Sequence, residues 1–224
     1  DAAAGVRDDL AGRRLRIGVI HDLGPSSAGV RRAVADAAAA ARDVGVDVAQ
    51  LEASTTLLGS VFVNFTLLGV EAAEWHERFA DRRELYTAYV RDRLEEASST
   101  TARDYRAALR QVGAVRATID EALAGADALL LPGVPFAAPV AGVERVDLGS
   151  ETIDRDLGLC RNTGFANVSG HPVLAIPAGF EEGLPVGVQV VGRRGDDLRL
   201  LALGSIIAER LAVPTLAPLG RQAG

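Results

Sequence analysis

Few residues in this sequence could do chemistry. One cysteine, Cys160, and three histidines, His21, His76 and His171, could supply a nucleophile or a general base. A thiolate–imidazole pair needs a histidine within hydrogen-bond reach of the thiol, which spacing alone leaves open. The other reading of a lone cysteine is a small buried hydrophobe. The histidines lie 55 and 95 positions apart, without the short spacing of a zinc-binding helix, so no metal site is expected. His21-Asp22 follows an apolar run, either at the carboxyl end of a strand, where α/β proteins bind ligands, or on an ordinary exposed loop. Trp75-His76 falls in a helical pattern and reads as a packed tryptophan beside a partly exposed histidine.

All 24 basic residues are arginine. That removes every mechanism requiring a lysine within the chain: a phosphate-cradling P-loop, a Schiff base, or a serine activated by a neutral amine. No Gly-x-Gly-x-x-Gly follows a strand and no Gly-x-Ser-x-Gly occurs, so dinucleotide binding and α/β-hydrolase chemistry lose their usual anchors, and no cofactor is expected. One segment differs in kind: Arg161-Asn-Thr-Gly-Phe-Ala-Asn167-Val-Ser-Gly170-His-Pro172, which runs straight into the apolar Val173-Leu-Ala-Ile176. A polar, glycine-bearing loop at a strand entrance offers amides and hydroxyls to a small polar ligand. Equally, its asparagine could cap its own turn.

The elements that would position these residues alternate between strand and helix. Residues 1–13 read as a polar, alanine-rich lead-in, and 14–224 as one unit. Leu15, Ile17 and Val19 alternate as in a strand. A helix follows, capped by Ser26 or Ser27, with Val30, Ala33, Val34, Ala37, Ala38 and Ala41 on one face and Gly45 at its end. Val46 to Leu51 reads as a second strand, completing one parallel crossover. Helices are expected over Gly69–Phe79, Glu84–Ala97 and about Thr101–Leu123. Ala128-Leu-Leu-Leu131 reads as a buried strand stopped by Pro132-Gly-Val-Pro135, with loop and short elements from there to Arg161. Val173–Ile176 and Val186–Val191 read as a hairpin across a turn-rich linker. A last helix, capped by Asp196 or Asp197, ends before Pro214.

Composition sets outer bounds. The 224 residues are 48% hydrophobic and 24% charged, as in a chain that buries a sizeable core. A net charge of −6 and a pI of about 5.2 argue against a phosphate-binding surface, so no nucleic-acid partner is expected. A single cysteine makes no internal disulfide, and without 18 consecutive apolar residues no membrane span is expected, which leaves a cytoplasmic location as the default. The absence of methionine implies that Asp1 is not a translation start and that the chain derives from something longer.

The polar segment also carries a resemblance. Asn167-Val-Ser-Gly170-His-Pro172, Pro177-Ala-Gly179 and Gly183-Leu-Pro-Val-Gly-Val-Gln-Val-Val-Gly192 resemble the C-terminal signature of the amidase signature family. Leu15-Arg-Ile-Gly-Val19, Glu71-Ala72, Val90-Arg-Asp-Arg93-Leu, Asp104-Tyr105 and Ala126-Asp-Ala-Leu-Leu-Leu-Pro132 resemble its earlier motifs in order, covering about Leu10 to Leu211.

The resemblance implies an α/β fold, a mixed sheet flanked by helices, and cleavage or transfer of carboxamides by a Ser-Ser-Lys mechanism. No Gly-Gly-Ser-Ser-type stretch and no lysine occur here. The chain therefore resembles the C-terminal portion of such an enzyme, starting after the nucleophile and contributing one wall of the pocket. Arg93 matches an arginine with which the A subunits of tRNA amidotransferases grip a substrate carboxylate, a task that suits a guanidinium fork. Seven residues before Asn167, where those subunits carry an aspartate for the substrate amino group, stands Cys160. The departure puts glutamine in doubt and favours a simpler carboxamide or urea-like compound. Arg93, Cys160 and Asn167, with the Pro132–Pro135 loop, are the expected substrate-binding residues. The expected partners are a small amide and the remaining, N-terminal half of the amidase, with self-association through the apolar surface that half would cover. Two other readings stand beside this one: a non-catalytic binding relative, and a hydrolase dependent on Cys160.

Overall fold

The computed structural model describes Leu10 and residues 12–214; most of the expected lead-in, 1–9 and 11, lies outside the described residues. A five-stranded sheet is built from β1 (Arg16–Val19), β2 (Asp47–Gln50), β3 (Ala128–Pro132), β6 (Val173–Glu181) and β7 (Leu184–Val191), in the order β2-β1-β3-β7-β6. β1 runs parallel to β2 and β3, whereas β7 is antiparallel to both of its neighbours. The sheet is therefore mixed. A separate two-stranded ribbon pairs β4 (Arg145–Asp147) with β5 (Thr152–Asp154).

Strand alternation assigns the two faces. Ile17, Val19, Leu130, Val188 and Val190 point to one core, closed by helices α1 (Ala28–Asp43) and α7 (Asp197–Leu211). Leu129, Leu131 and Val191 point to the other, closed by α2 (Thr55–His76), α4 (Ala102–Ala124) and α6 (Gly164–Ser169). β3 is buried along its whole length, which is why it reads as an unbroken apolar run. Burying a side chain such as Leu130 completely contributes about 1.5–3 kcal/mol.

Local chemistry sets the element ends. Ser27, not Ser26, caps α1, and the Glu181 carboxylate ties that cap to β6 by accepting from the Ser27 hydroxyl (2.6 Å) and the Gly29 amide (2.8 Å). The hairpin is longer than the sequence suggests, because the expected linker is strand. Only Glu182 and Gly183, with φ of 51° and 82°, form the turn, and positive φ at both positions matches the right-handed twist of the arms. Asp196 occupies the cap position of α7, but its φ of −105° is paired with a ψ of 33°, and its side chain makes no cap hydrogen bond.

The middle of the chain departs most. α2 begins 14 residues before the expected Gly69, capped by Ser54, whose hydroxyl accepts from the Leu57 amide at 3.1 Å. It ends at His76, followed by a 3-10 stretch (Glu77–Leu85) and then α3 (Ala88–Ser98). An 18-residue window within 55–85 has mean hydropathy 1.5, so by length and composition alone this segment is long and apolar enough to cross a membrane, where the sequence was expected to hold none. Leu57 and Val63 of this helix pack into the second core.

Candidate functional site

Three helices converge on a groove of about 650 Å³. α2 contributes an apolar wall of Phe65, Leu68 and Ala72, one helical face at three- and four-residue steps. α3 contributes Tyr89, Arg93, Leu94 and Ala97, and helix α5 (Arg155–Arg161) contributes Asp156, Leu157 and Cys160. The Asp154 carboxylate starts α5 by accepting from the Leu157 amide at 2.9 Å. An apolar body with a few convergent polar groups is the usual form of a small-molecule site.

The polar groups are linked across the groove. The Tyr89 hydroxyl donates to Asp156 Oδ2 at 2.9 Å, and Arg155 Nε donates to Asp156 Oδ1 at 2.7 Å. The hydrogen bond from Arg155 is the main reason the Asp156 carboxyl titrates below its ordinary value, with Tyr89 adding to it, and the hydrogen bond to Asp156 pushes the Tyr89 phenol up. The Arg93 guanidinium lies 5.8 Å from the Tyr89 ring centroid and 2.9 Å from Glu96 Oε2, and more than half of its side chain remains open to a ligand.

Arg93 and Cys160, far apart in sequence, thus face one cavity. Asn167 does not join them; it sits exposed on α6, a helix where a loop was expected. The Pro132–Pro135 loop does not line the groove either. The Pro132 carbonyl accepts from Asn162 Nδ2 (3.3 Å) and Gln189 Nε2 (3.0 Å), and both of those side chains are buried. Burial, and then the charge of Asp156, push the Cys160 thiol up, so it stays protonated and weakly nucleophilic. No histidine lines the groove. His171 is held by Ser169 (2.9 Å) and Asp120 (3.1 Å), and His76 Nδ1 faces the Tyr86 hydroxyl (2.6 Å). A thiolate–imidazole pair is not assembled, and among the described residues no cluster of three or more His, Cys, Asp or Glu side chains could hold a metal.

Sequence reasoning missed Tyr89 and Asp156. A signal existed: each lies four residues before a residue already singled out, Tyr89 before Arg93 and Asp156 before Cys160, on one helical face.

The amidase family model matches residues 6–201. An enantioselective amidase of Rhodococcus rhodochrous is 40% identical over 101 residues, 45% of this chain and 19% of that protein. The A subunit of the glutamyl-tRNA(Gln) amidotransferase of Nitratidesulfovibrio vulgaris (strain DP4) is 32% identical over a match covering 100% of this chain and 49% of that protein. A solved amidase structure superposes with a TM-score of 0.80 at 34% identity, covering 88% of this chain and 46% of that one. The chain spans about half the length of these last two relatives. A match over most of its residues, on a mixed sheet between helices that a solved amidase shares, establishes that the chain belongs to the amidase family.

Proposed function

We propose that this chain forms the substrate-pocket part of an amidase that hydrolyses carboxamide C–N bonds, and that the serine nucleophile and its lysine act from sequence outside these 224 residues. The observation that carries the reading is the groove, in which Arg93 and Cys160 meet on three helices of the family-matched region. In this role the Arg93 fork donates to a carbonyl or carboxylate oxygen of the substrate. Phe65, Leu68 and Leu157 hold its apolar body, and the Cys160 thiol contributes shape without charge. The absence of lysine supports the second half of the proposal, because an amine base has no source within the chain.

The test is ammonia release from benzamide and 3-phenylpropanamide, by the chain alone and after mixing with the polypeptide that precedes it in the parent reading frame. Turnover only on mixing is the expected result. Turnover by the chain alone would overturn the proposal and bring Cys160 forward as nucleophile. Silence in both, with the amides still bound, would make the protein a binding relative.

A further inference from the structure

We infer that α3 is a hinged wall of the groove, which swings aside to admit a ligand and is held shut by a latch between Tyr89 and Asp156. The inference deepens the reading of the groove as an amide pocket, because α3 carries Arg93.

A helix is kept in place mainly by the apolar side chains it buries, and no residue of α3 is buried. The same holds for the 3-10 stretch before it, where Phe79 (φ −116°, ψ 22°) and Arg82 (φ −128°, ψ 21°) leave helical geometry and break the continuity with α2. At the other end Ser99 and Thr100 separate α3 from α4. Each of these two helices has its own threonine cap: Thr87 accepts from the Val90 amide at 3.4 Å, and Thr101 from the Asp104 amide at 3.2 Å. α3 can therefore turn as a unit without unwinding, while the segments at its two ends absorb the change in φ and ψ.

Two contacts hold it, one towards each end. Near its C-terminus α3 lies so close to α2 that a Cβ added to Gly69 would meet the Ala97 Cβ at 3.1 Å, and that crossing is the pivot. Two turns earlier, about 12 Å along the axis, the Tyr89 hydroxyl donates to Asp156 Oδ2 at 2.9 Å. Among the described residues this is the one side-chain hydrogen bond joining α3 to another helix. The other Asp156 oxygen accepts from Arg155, which holds the acceptor still on α5 while Tyr89 moves with its helix. Arg93 and Leu94 lie between pivot and latch and line the cavity. Opening the latch carries the guanidinium away from the groove, and closing it brings the guanidinium back onto a bound ligand.

Cys160, the single cysteine of the chain, lines the groove and reports its opening. Alkylation of the full chain by iodoacetamide should be about tenfold faster in Tyr89→Phe than in the native protein. Tyr89 is about half exposed, so the change removes the latch without opening a cavity in the core. The acceleration should not depend on urea below the unfolding transition, because a swinging helix exposes little surface, whereas alkylation through general unfolding steepens with urea. A rate unchanged by Tyr89→Phe, or an acceleration that steepens with urea, overturns the inference. Both readouts are taken on the free chain, so the latch can fall while the amide pocket stands.

Discussion

His171 is sealed inside the fold between Ser169 on α6 and Asp120 on α4, and Asp120 also pairs with Arg194 at 3.0 Å. Arg116 completes the surroundings by donating to the Ser169 carbonyl at 3.1 Å. Burial pushes the His171 pKa below its ordinary 6.5, against the opposing pull of Asp120. The unfolded chain therefore takes up the proton first on acidification. The stability contributed by the neutral ring is present above about pH 6.5 and is lost as pH falls through the depressed folded value. Urea unfolding between pH 7.5 and 5.5 should show declining stability for the native chain and a flatter profile for His171→Gln; a native profile that rises on acidification would contradict this. At this scale the site was half legible. Arg93 and Cys160 are visible as motif positions, and so is Asn167, but Asn167 stands on the exposed side of the otherwise buried α6, away from the groove. Tyr89 and Asp156 carry a local signal in the four-residue step to Arg93 and to Cys160, but their pairing arises only where α3 and α5 approach.

Helix contacts decide what a given substitution does. Gly164 starts α6 where a Cβ would come within 2.8 Å of the Val61 Cα on α2, and backbone does not yield as a side-chain tip does. Gly113, inside α4, has open space around its position. The same change should thus carry opposite signs. Gly164→Ala should destabilise by about 1–3 kcal/mol, and Gly113→Ala should stabilise by about 0.5–1 kcal/mol; thermal melts of the two variants would show it, and equal shifts would contradict it. Element type was legible wherever a period was clean, as in the alanine stripe of α1 or the alternation of β1. It failed from Thr55 to Leu68, where apolar residues lie on all sides and no amphipathic period survives. The hairpin turn was overestimated because Pro177, Gly179 and Pro185 look like breakers, yet strand β6 is a sheet edge and takes Pro177 and Gly179 at a bulge.

Over the whole molecule, the sheet and its two helical layers account for both cores, while part of α2 stays uncovered. Phe62, Leu68 and Trp75 are each about half exposed or more along that helix. An apolar helix open on one side is unusual for a free-standing domain. It accords with the proposal that further amidase sequence packs here, since the relatives run to about twice the length. The architecture was legible because the ordered motifs span nearly the full chain; the groove was not, because it forms where three helices distant in sequence meet. The central claim is that this groove receives the amide, and backbone-amide NMR of the chain titrated with 3-phenylpropanamide tests it most directly. Shifts gathered on Ala72, Leu94, Ala97, Leu157 and Cys160, with Asn167 and Gly133 silent, are the predicted result. Shifts at Asn167 or along the Pro132–Pro135 loop, with the groove residues unmoved, would contradict it.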